Sequence, residues 1–191
     1  DWGGDYFAVQ TFSNIQDGRC IQIGWMSRSP FEEMPFNQQM SFPRELTLRT
    51  TPEGIRLFGN PVREIENIHG EHQSWNDLSV KPGENPLSSL AGELYHIIAE
   101  FQVDEGTAGE FGFNLRGTEI MYHTGNNMLT AACPSDDMNR EVKLQPDNGM
   151  IRMEILLDKA SVEVFANKGE IPMAFYNLPG EENREISLTC K

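Results

Sequence analysis

The chain is poor in cysteine, in basic residues and in long apolar runs, and each shortage removes a class of protein. Its three cysteines, Cys20, Cys133 and Cys190, are an odd number without a CxxC spacing, so neither a zinc site nor a disulfide framework is indicated. A single Cys20–Cys133 or Cys133–Cys190 bridge stays open. Lys and Arg number 15 against 29 Asp and Glu, a formal net charge of −14. Nucleic acids and anionic membrane surfaces are held by basic patches, so neither is an expected partner; neutral ligands such as sugars are compatible with this balance. No apolar run approaches the ~20 residues of a membrane helix, and no membrane insertion is expected. An Asn-x-Ser/Thr sequon is also missing, which argues against an exported eukaryotic glycoprotein. No internal repeat or low-complexity tract occurs.

What is present reads as strand and turn. Seventeen Gly and 11 Pro in 191 residues suit short strands joined by many turns. The organising stretch is Met150–Phe175. Ile151, Met153, Ile155 and Leu157 alternate with Arg152, Glu154 and Leu156, the period of a strand with one face in a core. Asp158-Lys159-Ala160 reverses the chain, Val162, Val164 and Ala166 alternate again, and Asn167-Lys168-Gly169 tolerates the positive φ of a tight turn before Ile171–Phe175. This unit is a β-meander.

Upstream, Tyr6–Phe12 and Cys20–Met26 form a hairpin across Asp17-Gly18, Met40–Arg49 is a strand whose Pro43 marks an edge or bulge, and Gly54–Phe58 returns beside it. From Pro61 to Trp75 the pattern weakens to a charged linker with one helical turn at Val62–Ile68. Beyond it Gly92–Val103, with Leu94, Ile97 or Ile98 and Phe101 available for a core, Phe111–Leu115, Glu119–Thr124, Met128–Ala132, Glu141–Leu144 and Glu185–Cys190 are strands between turn signals. Strands spaced every ~8–12 residues indicate a sandwich of two sheets. The chain is expected to be all-β, divided into residues 1–66 and 67–191.

Two stretches carry a family resemblance. DWGGDYFAVQTF at Asp1–Phe12, followed by IQIGWM and MSFPRELTL, is similar to the fifth-blade region of glycoside hydrolase family 32, the invertases, levanases and inulinases. LLDKASVEVFANKGE resembles that family's C-terminal sandwich. The resemblance implies a β-sandwich of two packed antiparallel sheets preceded by a remnant of the last blade of a five-bladed β-propeller. It also implies a parent enzyme that hydrolyses β-fructosides with retention of configuration. In such enzymes a first-blade Asp is the nucleophile, an Asp in Arg-Asp-Pro stabilises the transition state, and the Glu of Glu-Cys is the acid/base. None of these motifs occurs here, and a retaining glycosidase needs two carboxyl groups roughly 5 Å apart. No catalytic residue is therefore assigned. The chain, which opens on Asp1, is expected to be the C-terminal piece of such an enzyme, partnered by the missing N-terminal blades. Its ligand is then a fructose-containing oligo- or polysaccharide, without a cofactor or metal. A fructan-binding module and a dimerisation domain, hence a homo-oligomer, are the alternatives. Polysaccharide-degrading relatives are exported, so the implied location is extracellular or periplasmic; sucrose-phosphate-cleaving relatives stay in the cytoplasm.

The resemblance maps Asp1 onto a pocket-rim Asp, with Trp2 offering an aromatic face to a sugar; Gly4 replaces the Lys coupled to that Asp. The alternative is a frayed strand start. Other candidates are weaker. His96 and His123 could face each other across adjacent strands as metal ligands, but no third ligand is spaced with them. Asp104-Glu105 and Asp136-Asp137 lack an EF-hand pattern and read as solvated loops. Trp25, Trp75 and Tyr122 read as packing rather than a sugar platform, and Asp158 and Glu163 as surface charges beside a turn. Phe7, Val9, Ile21 and Ile23 belong to an incomplete blade, so the first ~60 residues are expected to be less stable than the sandwich unless they dock on it.

Overall fold

The structure is a computed structural model that describes residues 1–27, 35, 38–90, 92–103, 109–134, 139–178 and 185–191. Strands β1 (Phe7–Thr11), β2 (Cys20–Met26), β3 (Gln39–Met40), β4 (Arg44–Thr51) and β5 (Gly54–Pro61) build a first antiparallel sheet. Its order is β1-β2-β4-β5, with β3 short beside β2. A 3₁₀ helix, Arg63–Ile68, leads out of it. Strands β6 (Tyr95–Gln102), β7 (Glu110–Leu115), β8 (Thr118–His123), β9 (Met128–Ala132), β10 (Arg140–Lys143), β11 (Met150–Leu157), β12 (Ser161–Ala166), β13 (Ile171–Tyr176) and β14 (Ile186–Cys190) follow. They form two more sheets, β10-β9-β8-β7-β14 and β13-β12-β11-β6.

The meander read from the sequence is β11-β12-β13. Met153 pairs with Ala166 and Val164 with Met173, and Asn167, Lys168 and Gly169 turn the chain with φ of 45°, 58° and 82°. Ile151, Met153, Ile155, Val162, Val164 and Phe175 meet Phe113, Leu115, Ile120, Tyr122 and Leu129 of the facing sheet in one buried core. Ile97 and Phe101 of β6 pack against that core, whereas Leu94 and Ile98 stay exposed.

Local irregularities follow the residues. Phe7 faces Trp25 while Gln10 faces Ile23, so β1 carries one extra residue, with Ala8 in the left-handed region at φ 42°. The strand expected over Met40–Arg49 breaks at Pro43 as β3 and β4. Met40 faces Trp25 and Arg44 faces Gln22, so this strand too carries one extra residue. No disulfide joins the cysteines; buried Cys133 Sγ donates to the Tyr176 carbonyl at 3.2 Å.

The blade docks on the sandwich. The first residues run along β13, the edge of its sheet: Trp2 N–H donates to Pro172 O at 2.9 Å, Asp5 N–H donates to Ala174 O at 3.0 Å, and Asp5 Oδ2 accepts from Tyr176 N–H at 2.9 Å. An exposed edge is thereby covered. Gly3 lies so close to this strand that a Cβ there would sit 2.2 Å from Ala174 O. At the meander turn Gly169 (φ 82°) leaves no more room, since its Cβ would lie 2.5 Å from Gly59 O, and Gly59 N–H donates to Gly169 O at 2.9 Å. Ile21, Val62 and Ile65 from the blade side bury Leu156 and Phe165 from the outer sandwich face.

Candidate functional site

The site residues proposed from sequence lie on the blade–sandwich joint. Asp1 Oδ1 accepts from Gly3 N–H at 2.7 Å and from Ala174 N–H at 3.3 Å, while Oδ2 takes Arg44 Nη1 at 2.5 Å. The Asp1 side chain is 6% exposed. Trp2, by contrast, is 50% exposed, so of the two it is Trp2 that offers a surface to a ligand.

Arg44 is the centre of the joint. It lies in the Pro-Arg-Glu-Leu stretch that opens β4, and its side chain is 2% exposed. Its Nη2 donates to Glu163 Oε2 at 2.8 Å, and Glu163 Oε1 accepts from Phe42 N–H at 2.6 Å. The guanidinium also stacks over the Tyr6 ring, 3.9 Å from its centroid, and near the Phe165 ring at 5.1 Å, a cation–π arrangement that strengthens out of water. Glu163 is wholly buried, which corrects its reading as a surface charge. It points to the outer face of β12, which the blade covers. Burial pushes its carboxyl above the ordinary value of 4.5, opposed in part by the charge and hydrogen bond of Arg44 and by Phe42 N–H. The overlooked signal is Val162-Glu163-Val164-Phe165-Ala166 itself, where apolar residues on both faces mark a strand covered on both sides.

The remaining candidates separate. His96 on β6 and His123 on β8 belong to different sheets, so the weaker reading of the two as a facing ligand pair fails. His123 Nδ1 lies 3.1 Å from Glu110 and its Nε2 lies 2.9 Å from Thr130 Oγ1. His96 instead meets His69 and Glu154. Burial opposes ionisation of Glu154, but hydrogen bonds from His96 and Arg152 together with the Arg152 charge outweigh it and hold the carboxyl below 4.5. Tyr122 is buried, its hydroxyl donating to Asn127 Oδ1 at 2.8 Å, so it shares no surface with Trp25 and Trp75, which are 38% and 43% exposed. Asp104-Glu105 and Asp136-Asp137 lie outside the described residues. Among the described residues no group of three or more His, Cys, Asp and Glu side chains is arranged around a common metal position.

The architecture and this joint coincide with a family division. Residues 64–191 match the family described as "Glycosyl hydrolases family 32 C terminal" and residues 1–61 match "Glycosyl hydrolases family 32 N-terminal domain". The chain belongs to glycosyl hydrolase family 32. Over 210 residues this family 32 chain is 33% identical to a levanase of Bacillus subtilis (strain 168), across 98% of its own length and 31% of that protein. A levanase of Bacillus sp. (strain L7) is 30% identical, over 98% of this chain and 23% of the other. The chain thus spans a third or less of these levanases. Exo-inulinase from Aspergillus awamori superposes with a TM-score of 0.82 at 21% identity, over 99% of this chain and 41% of that one, a likeness of fold.

Proposed function

We propose that this family 32 chain is the C-terminal region of a retaining β-fructosidase, acting on levan, inulin or sucrose. It supports the catalytic propeller and does not cleave substrate alone. The observation that carries this reading is the buried Asp1–Arg44–Glu163 chain, which ties a blade to the sandwich by groups that only a fixed relative placement satisfies. The kinship to levanases favours fructan as substrate. Leu48 and Leu57 pair on one blade face and, with Ile55, lie exposed, an apolar surface suited to a neighbouring blade. The division falls within the 3₁₀ helix, giving residues 1–66 and 67–191. No nucleic-acid partner is proposed for a chain of net charge −14. No helix among the described residues is long and apolar enough to cross a membrane, and the proposed location is extracellular or periplasmic.

Fructose release from sucrose, levan and inulin tests the reading. This chain alone is expected to release none, and a version extended upstream through the other blades to release it. Activity in the short chain would overturn the assignment. At the pocket rim we place Trp2 against the sugar, with Asp1, locked by Arg44, fixing the segment that presents it. In the extended enzyme Trp2→Ala is expected to raise KM about 3–10-fold, the loss of one aromatic contact, with the melting temperature unchanged. An unaltered KM would remove Trp2 from the site.

A further inference from the structure

Two histidines from separate segments converge beside the cleft between blade and sandwich. His69 ends the 3₁₀ turn and is exposed, while His96 projects from the outer face of β6, its side chain 12% exposed. His69 Nε2 stands 2.7 Å from His96 Nδ1, with ring centroids 4.9 Å apart. A neutral imidazole has one N–H and one lone pair, so this contact requires one nitrogen to donate and the other to accept. The far side of His96 decides which. His96 Nε2 lies 3.0 Å from Glu154 Oε1, and Arg152 Nη1 donates to Glu154 Oε2 at 2.7 Å. The carboxylate holds the proton on Nε2 and leaves the Nδ1 lone pair aimed at His69. A carboxylate on the outer nitrogen is the arrangement that orients and polarises a metal-ligating imidazole.

We propose that His69 and His96 form a two-histidine site for a divalent transition-metal ion of the Zn²⁺, Ni²⁺ or Cu²⁺ class. Nε2 of His69, once its proton has moved through solvent to Nδ1 of the same ring, and Nδ1 of His96 are the ligands, and Glu154 is the positioning carboxylate. Imidazole nitrogen suits these borderline ions, whereas Ca²⁺ and Mg²⁺ require oxygen donors. With Zn–N bonds of about 2.0–2.1 Å, two nitrogens of a tetrahedral site stand about 3.3 Å apart. The rings therefore open by several tenths of an ångström, which exposed His69 accommodates by rotation. Water supplies the remaining ligands, because no further side chain of the His, Cys, Asp or Glu type converges there among the described residues. The adjoining cleft, about 300 Å³, is lined by Glu45, Arg49, Arg63 and Glu66 as well as His96 and Glu154, and is open to hydrated ions. The bound ion would tie the segment after the blade to the sandwich face and stabilise the folded chain by mass action.

The test is calorimetric titration of the full chain with Zn²⁺ alone. One ion per chain is expected. His69→Gln and His96→Gln should each weaken binding at least tenfold, while His72→Gln and His123→Gln leave it unchanged. Glu154→Gln should weaken it about 10–100-fold. Cu²⁺ bound to the wild type should show paramagnetic-resonance coupling to two nitrogens, falling to one in His69→Gln. Because His69 is exposed, that variant is expected to melt like the wild type, which separates loss of a ligand from loss of the fold. An absence of binding, an unchanged affinity in His69→Gln, or an equal loss in His72→Gln or His123→Gln would overturn the site.

Discussion

Arg44→Met is expected to cost about 3–5 kcal/mol of folding stability, the usual consequence of stripping one partner from a buried ion pair. The substitution leaves Glu163 wholly buried with Phe42 N–H as its remaining donor, and leaves Asp1 with only backbone donors. Burying a carboxylate without a compensating charge is the most expensive polar error a core can contain. The double variant Arg44→Met with Glu163→Leu should recover much of the loss, since replacing both charges by apolar groups of similar volume is often close to neutral. Urea denaturation of the single and double variants distinguishes these outcomes. An unchanged midpoint for Arg44→Met would mean that the joint carries no net stability.

The same pair sets a pH dependence. Burial holds the Glu163 carboxyl above its ordinary value of 4.5, so over an interval above that value the folded chain keeps a proton that the unfolded chain has lost. Its contribution to stability is fully present below about 4.5 and is lost as the pH rises through the folded-state value. Glu163→Gln removes the titration. The stability of the wild type relative to Glu163→Gln should therefore fall as the pH climbs from 4.5, then level off. Urea midpoints measured between pH 4 and 8 check the slope, and a constant difference would contradict it.

Phe165→Ala is expected to cost about 3–5 kcal/mol as a fully buried aromatic truncation. Its effect should concentrate on the joint, because Phe165 packs with Ile21, Val62, Ile65 and Leu156 rather than in the sandwich core. Val164→Ala, pointing the other way into the core between the sheets, should destabilise the sandwich by about 1–3 kcal/mol. Hydrogen exchange separates the two. In the wild type the docked blade should be protected, while in Phe165→Ala protection should fall over residues 1–60 first, as the blade loses its seat. Loss spread evenly over both parts in that variant would show that blade and sandwich open as one unit.

The meander, the hairpins, the break at Pro43 and the helical turn before Ile68 were legible because period-2 alternation, a missing N–H and tolerance of positive φ are properties of a few consecutive residues. The sandwich strands likewise followed from local patterns joined to a family resemblance. The partners of Arg44, Glu163, His69 and His96 were not. Arg44 and Glu163 are separated by 119 residues, and whether the outer face of β12 meets water or a second layer depends on where the blade comes to rest. His69 and His96 are 27 residues apart, and their meeting depends on the path of the segment between them. The sequence by itself determined the elements and which face of β11 turns inward, since those depend on spacing along one strand. Only the tertiary structure decided that the outer face of β12, with Glu163 and Phe165, is buried as well, because desolvation there comes from another sheet whose placement no local spacing encodes.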